Sequence, residues 1–235
     1  MTPPKMMTAR LEDKIVHTEK YIQYKFELDQ PHTMPFTAGQ YVSIKVSDRG
    51  ERRSYSICSS PSVDHGFELL VDIAPQGVGS RYLESLKFGD TISFLGPVGV
   101  FTIPEENTES AYYFVATGSG VAPFKSMIEG LLEKQEKRPL ILYWGLRYEQ
   151  DLFWEKDFQE LQRTNPNFDF KIILSKPSDA WPLSRGHVTD LLIGLEKIPG
   201  AGYYLCGNAK MVDEVTEHLQ QSSVAPTQVH HEMFY

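Results

Sequence analysis

Two rhythms of apolar and polar positions divide this chain. Up to about residue 104, short runs rich in β-branched and aromatic residues, Tyr21–Leu28, Tyr41–Val46 and Phe67–Ile73, are separated by turn residues. Tyr41-Val42-Ser43-Ile44-Lys45-Val46 alternates cleanly, the period of a strand with one buried face. Gly39, Gly50, Gly66, Gly89-Asp90 and Gly96-Pro97 punctuate these runs. Several short strands at such spacing predict an antiparallel β-barrel, with one helix from Ser80 to about Leu86. A polar, acidic stretch, Pro104–Ser110, reads as a linker. Beyond it, apolar strands at 111–116, 139–145, 168–174 and 202–206 alternate with amphipathic helical patterns near 122–135, 151–163, 187–195 and 208–221. That alternation predicts a parallel sheet covered on both faces, closed by a last strand around 227–232. The expected organisation is therefore an antiparallel barrel over residues 1–104 and an α/β domain over residues 111–235.

Candidate chemistry gathers where strands meet turns. In Arg53-Ser54-Tyr55-Ser56, alternate side chains share a face, so Arg53 and Tyr55 point the same way. The guanidinium can fork onto a pyrophosphate while the phenol lies against a flat ring. Ser56, on the other face or at the strand's end, offers a hydroxyl that both donates and accepts. Gly77-Val78-Gly79-Ser80-Arg81-Tyr82-Leu83 is a glycine-rich turn running into a helical pattern. Val115-Ala116-Thr117-Gly118-Ser119-Gly120-Val121-Ala122-Pro123 is an apolar strand ending in a second such turn that opens a helix. This is the setting of a dinucleotide loop, without the full Rossmann glycine spacing. Pro123, near the first helical turn, removes no N–H that the helix needs. A third junction, Leu205-Cys206-Gly207-Asn208, follows Tyr203-Tyr204 and precedes Met211-Val212.

These four motifs, in this order and over nearly the whole chain, resemble those of the ferredoxin–NADP reductase family. The resemblance implies an FAD-binding barrel and an NAD(P)-binding α/β domain. In such proteins Arg53 would hold the pyrophosphate of FAD, Tyr55 would pack on the flavin ring, and Ser56 would reach the flavin N5, with Ser54 completing the motif. Gly77, Gly79 and Ser80 resemble a second FAD motif, where amides at a helix N-terminus meet phosphates. Thr117, Gly118, Gly120 and Pro123 would form the nucleotide loop. Cys206, with Gly207 and Asn208, would border the nicotinamide, its small polarizable sulfur crowding the ring without blocking it. Glu232-Met233-Phe234-Tyr235 resembles the tail of bacterial and plant-type members. There Glu232 would lie near the redox centre and Phe234 would cover the flavin face, with Tyr235 one residue beyond. A 2′-phosphate needs cations, and Arg147, Lys176 and Arg185 stand in loops after strands. Arg147 and Lys176 lean towards NADPH. Lys176, however, replaces a forked arginine, and Trp181 with Gly186-His187-Val188 is similar to NADH-dependent oxygenase reductases, so both nucleotides stay open.

Composition narrows the partners. Two cysteines, Cys58 and Cys206, are too few to bind an iron–sulfur cluster by thiolates, so electrons would pass to a separate ferredoxin, flavodoxin or other small electron-transfer protein. Alternatives are the reductase component of an oxygenase, a free-flavin reductase, or an electron-relay subunit held in a complex. The net charge of −8 argues against broad nucleic-acid binding. The acidic excess falls mainly after residue 105, leaving Lys45, Arg49, Arg52, Arg53, Arg81 and Lys87 as the likelier face for an acidic partner. Met1-Thr2-Pro3-Pro4-Lys5 lacks an apolar core of signal-peptide length and no later run is long enough to span a bilayer, so a cytoplasmic protein is expected. His187 and His230-His231 have no acidic or cysteine partner at ligand spacing in the sequence, so no metal site is expected.

Overall fold

Alternation turns the first part of the chain into a sheet with one wet and one dry face. The computed structural model describes residues 5–193 and 197–234. Its first unit comprises Met1–Ile103 with Ala122–Leu131. It is built on β1 (Lys5–Val16), β2 (Tyr21–Gln30), β3 (Tyr41–Lys45), β4 (Arg52–Ser56), β5 (Gly66–Asp72) and β6 (Thr91–Val98), with α1 (Val78–Ser85) between β5 and β6. The strands are antiparallel in the order β4-β3-β6-β1-β2-β5. Past the end of β4, Ile57 bridges Leu69 of β5 and the Cys58 amide donates to the Glu68 carbonyl at 2.9 Å, which closes the sheet into a barrel. Every second residue of β3 and β6, Val42, Ile44, Ile92 and Phe94, is fully buried. Phe67 and Phe94 meet edge to face at 4.9 Å, and Leu83 of α1 joins the same core. β1 is absent from the expected strands because Arg10-Leu11-Glu12-Asp13-Lys14 masks its alternation. Met7, Ala9 and Leu11 are nevertheless its buried face.

The second unit, Pro104–Val121 with Leu132–Tyr235, carries a parallel sheet. Its strands are β7 (Tyr112–Thr117), β8 (Leu140–Leu146), β9 (Phe168–Leu174), β10 (Ser184–Arg185), β11 (Gly202–Asn208) and β12 (Val229–Phe234). The helices of this half of the sequence are α2 (Ala122–Glu133), α3 (Glu155–Thr164) and α4 (Ala209–Gln221). Residues 122–131 of α2 group with the first unit. The strand order is β10-β9-β8-β7-β11-β12. The chain therefore proceeds outward from β7 to β10, then resumes on the other side of β7, and the order reverses between β7 and β11. Both faces are dry along the near-continuous apolar strands β7, β8 and β11, whereas β9 exposes Asp169 and Lys171. On one face Tyr113, Val115, Tyr203 and Leu205 pack with Val212, Val215 and Leu219 of α4. On the other, Tyr112, Phe114 and Tyr204 form an aromatic group, and Trp144 meets Phe153 and Phe158 edge to face.

Three expectations need correction. The helix expected at 187–195 is a single 3-10 turn, Val188–Leu191, closed where the Asp190 carboxylate accepts from the His187 amide at 2.7 Å; Gly194 and Leu195 lie outside the described residues. The helix expected from 151 starts at Glu155, because Trp154 takes a left-handed conformation (φ 51°) after a 3-10 turn over Glu149–Asp151. The last strand starts at Val229, since Pro226–Gln228 is also a 3-10 turn.

The stretch Pro104–Ser110 is tied down within the second unit. Ser110 bonds to the carbonyls of Pro199 (2.6 Å) and Gly200 (3.0 Å), and Arg138 donates to those of Asn107 and Glu109, both at 3.0 Å. The Glu109 carboxylate accepts from Asn107 Nδ2 and Tyr204 Oη, both at 2.9 Å, and from His230 Nε2 at 2.8 Å. Burial works against this carboxylate, but the bonds from His230, Asn107 and Tyr204 outweigh it and hold its pKa below the usual range. A depressed native pKa means that on acidification the unfolded chain takes up the proton first. The stability from Glu109 is thus full above the ordinary carboxylate range and is lost as pH falls through and below it. In Glu109→Gln the melting temperature should fall less steeply than in the parent between about pH 5 and about pH 3. Parallel acid limbs in thermal melts of the two proteins would refute this.

Candidate functional site

In the first unit the site begins where β4 meets the start of α1. Two adjacent arginines on β4 part company there. Arg52 turns its guanidinium onto the side chain and carbonyl of Ser43. Arg53, exposed, makes one bond, from Nη1 to the Arg52 carbonyl at 2.8 Å. Among the described residues no carboxylate lies within ion-pair distance of Arg53, so most of its five donors remain for a ligand. Tyr55, half-buried, stands on the same face as Arg53, as the strand period requires.

Gly79 joins the two sequence motifs. A Cβ placed on it would fall 2.2 Å from Tyr55 Oη and 2.8 Å from Arg53 Cγ, so α1 can approach β4 this closely only with glycine there. The helix starts at Gly77 without a side-chain cap. Its first amides therefore keep their donors, and a helix N-terminus of this kind favours anions. The Ser80 hydroxyl donates to the Gly77 carbonyl at 3.1 Å and so closes the turn. Ser80 thus has its main-chain amide to offer a ligand. Burial pushes the Tyr55 phenol up to about 12, against a smaller opposing pull from Arg53. Ser56 is buried at the end of β4, and Ser54 is exposed on the opposite face from Tyr55. An unpaired guanidinium, an uncapped helix start and a cradle that a Cβ would fill fit the pyrophosphate end of FAD.

In the second unit the site lies at the carboxyl ends of β7 and β11, the point where the strand order reverses. In open α/β sheets this is where ligands bind. Gly118 has φ 56°, and its carbonyl accepts from the Trp144 indole at 3.0 Å. A Cβ on Gly120 would sit 2.3 Å from the Cys206 carbonyl oxygen. One on Gly207, at φ 147°, would sit 2.2 Å from Thr117 Oγ1. Thr117 Oγ1 also accepts from the amide and side-chain nitrogens of Asn208, each at 3.2 Å. Asn208 in turn caps α4, its Oδ1 accepting from the Met211 amide at 2.9 Å. Thr117, Gly118, Gly120, Cys206, Gly207 and Asn208 are thus brought together as interlocked turns. Pro123, buried, is the second residue of α2.

Cys206 is fully buried, and burial first, then the nearby Glu232 carboxylate, pushes its thiol well above the usual range. Burial of this kind disfavours the thiolate, the nucleophilic form. Glu232 stands opposite Cys206 in the β11–β12 register, and Phe234 stands opposite Asn208. Tyr235 lies outside the described residues. Arg147 and Lys176 follow β8 and β9 and are joined through the Lys176 amide and the Arg147 carbonyl at 2.9 Å. Both are exposed, without a carboxylate at ion-pair distance among the described residues. Arg185 instead ties its loop, donating to the carbonyls of Asp179 (2.7 Å) and Trp181 (3.1 Å). Sequence reasoning missed Trp144, whose role exists only through a contact 26 residues away. Among the described residues no helix is long and apolar enough to cross a membrane.

Comparison with known proteins assigns a type to each unit. Residues 8–103 match the oxidoreductase FAD-binding domain and residues 114–217 the oxidoreductase NAD-binding domain. The chain is 31% identical over 203 residues to the toluate 1,2-dioxygenase electron transfer component of Pseudomonas putida, covering 86% of this chain but 59% of that protein. It is 32% identical over 204 residues to ferredoxin–NADP reductase B of Sorangium cellulosum, with 83% of each chain covered. The crystal structure of an Amycolatopsis cytochrome P450 reductase superposes with a TM-score of 0.91 at 27% identity, over all of this chain and 71% of that one. With a relative of this identity matched along most of both lengths, and each half matched to its own cofactor-binding type, the chain belongs to the ferredoxin–NADP reductase family as an FAD- and NAD-binding oxidoreductase.

Proposed function

We propose that this protein takes electrons from NADPH or NADH and delivers them singly to a small electron-transfer protein, a ferredoxin or flavodoxin, that lies outside these 235 residues. The observation that carries this reading is that the chain builds two separate phosphate-directed turns, one at Gly77–Ser80 beside Arg53 and one at Thr117–Gly120 beside Gly207. Two such turns suit two dinucleotides. The chain's two cysteines, Cys58 and Cys206, are both buried and lie in different units, which supports an acceptor whose iron–sulfur centre is carried elsewhere.

Bound FAD supplies the chemistry of accepting a hydride and releasing electrons one at a time. The chain's own residues hold, orient and exclude water. Arg53 offers a permanent cation to the FAD pyrophosphate, and the amides of Gly77, Gly79 and Ser80 add donors at the helix start. Tyr55, a neutral phenol at working pH, offers its ring to the flavin and a hydroxyl to the chain beyond it. Ser56 supplies a buried hydroxyl near the reacting end. On the nucleotide side, Thr117, Gly118, Gly120 and Pro123 shape the loop, and Gly207 and Asn208 let the backbone approach the ligand. Cys206, buried with its thiolate disfavoured, would border the nicotinamide. Glu232 holds a carboxylate beside it, with Phe234 and Tyr235 as the closing tail. Arg147 and Lys176 are the cations for a 2′-phosphate, which leans the nucleotide towards NADPH. The basic residues of the barrel, among them Arg49, Arg81 and Lys87, suit an acidic partner.

A second reading, the reductase component of an oxygenase, is favoured by the toluate dioxygenase component and the P450 reductase among the similar proteins. Absorbance titration of the purified protein with NADPH and NADH, followed by turnover with ferredoxin, flavodoxin and free flavin, tests both. A colourless protein, or turnover with free flavin alone, would overturn the proposal.

Three expectations follow for variants. Arg53→Ala should weaken FAD binding by about 1.5–3 kcal/mol, the size of a hydrogen bond to a charged group, read from flavin release on dilution; unchanged retention would remove Arg53 from the site. Gly79→Ala should also lose FAD affinity. Helix propensity alone favours alanine by about 1 kcal/mol, but the space is taken by Tyr55 Oη and Arg53; a more stable variant with intact FAD binding would show that the cradle yields. Arg147→Ala and Lys176→Ala should raise the KM for NADPH more than that for NADH. Equal losses would point to contacts shared by both nucleotides.

A further inference from the structure

Tyr204, Cys206 and Asn208 occur at every second residue of β11, and their register partners on β12 are His230, Glu232 and Phe234. Alternate strand residues share a face and stand about 6.7 Å apart, so Tyr204, Cys206 and Asn208 form one stripe with His230 and Glu232 that ends at the nucleotide turn. The stripe starts at a clamp. The Tyr204 and His230 rings stack at 4.5 Å and 23°. Glu109, whose side chain is 11% exposed, bridges them with its two oxygens, taking Tyr204 Oη on one and His230 Nε2 on the other. With the carboxylate ionised, Nε2 is the imidazole nitrogen that carries hydrogen. Gly202 leaves the space for this, since a Cβ there would come within 2.1 Å of the carboxylate. From the neighbouring segments, Asn107 donates to the same carboxylate, and Arg138, paired with Glu136, donates to the Glu109 carbonyl.

β12 is one of the sheet's two edge strands and pairs with β11 alone. Edge strands held on one side open more readily than central ones. We propose that Glu109 is a positioning residue for the far end of β12: through His230 and Tyr204 it seats this strand on β11, and so fixes where the backbone carries Glu232 and Phe234. The clamp stands on the geometry alone; its consequence for hydride transfer rests on the reading of Glu232 and Phe234 given above.

The test uses the FAD-loaded full chain. His230→Leu keeps an apolar contact with Tyr204 but has nothing to donate to Glu109, whereas His230→Gln regains a donor. Amide hydrogen exchange along the chain is read together with single-turnover flavin reduction by saturating NADPH and NADH. His230→Leu should speed exchange at least tenfold within residues 230–234, leave β7 and β8 at parental rates, and slow flavin reduction several-fold. His230→Gln should restore both. Unchanged exchange in β12, or acceleration spread equally over β7, β8 and β11, would overturn the proposal. Faster β12 exchange with an unaltered reduction rate supports the clamp and removes Glu232 and Phe234 from the redox site. If His230→Leu loses FAD or unfolds, Tyr204→Phe, which deletes one donor to Glu109, reads the same exchange with the same two outcomes.

Discussion

The nucleotide end of the second unit depends on one constraint: the backbones at the ends of β7 and β11 touch. Gly120 faces the Cys206 carbonyl and Gly207 faces Thr117, each at a distance no Cβ could occupy. Because the backbones meet, Thr117 Oγ1 can take both nitrogens of Asn208, and Asn208 can begin α4. A crevice walled by main chain and short polar groups presents amides at close range, which is what a phosphate chain needs. Bulkier residues would hold the two strand ends apart and would bury those amides behind side chains. Gly79 does the same for the barrel, where its missing side chain lets the start of α1 reach Arg53 and Tyr55.

This constraint explains which parts of the molecule could be read from the sequence. Glycine is visible in sequence, so Gly79, Gly120 and Gly207, which mark close approaches, announced the turns together with their neighbours Gly77 and Gly118. The long apolar runs of β7, β8 and β11 announced strands buried on both faces. What stayed hidden was set by contacts distant in sequence. Arg52 and Arg53 are alike as letters, and only the pairing of β4 with β3 sends one to Ser43 and leaves the other without a carboxylate at ion-pair distance among the described residues. Glu109 and His230 are 121 residues apart, so neither the acidic linker nor the histidine pair signalled the other. The 187–195 segment misled because its apolar spacing is helical for a single turn only, which Asp190 closes.

Burial arranges the charge at both sites. Tyr55 and Cys206 are each pushed up by loss of water, so neither changes charge near neutral pH. Cys58 behaves the same way in the barrel. Fixed charge is left to groups that keep some access to water or a partner: Arg53 at the surface of β4, Glu232 on the edge strand, and Lys125 with Glu129 on α2. A module that handles electrons gains from this division, since a carrier's affinity for electrons is then not tied to the titration of a neighbouring phenol or thiol.

Putting Glu232 on an edge strand has a cost that the rest of the sheet helps to offset. An outermost strand is covered on one side only, so its side chains keep more access to solvent than those in the middle of a central strand. The same position forgoes half of the ladder hydrogen bonds, a weakness that β12 shares with β10 at the opposite edge. The security of β12 comes from its amino end. Gln228 donates to the Ala201 carbonyl at 2.8 Å, and His230 is held by a carboxylate delivered from ahead of β7. These anchors stand at the amino end of the strand, and at its carboxyl end Glu232 and Phe234 pair in register with Cys206 and Asn208. The strand is thus anchored by Gln228 and His230 at the end away from the β7–β11 turns, so its order does not depend on the residues that stand opposite Cys206 and Asn208.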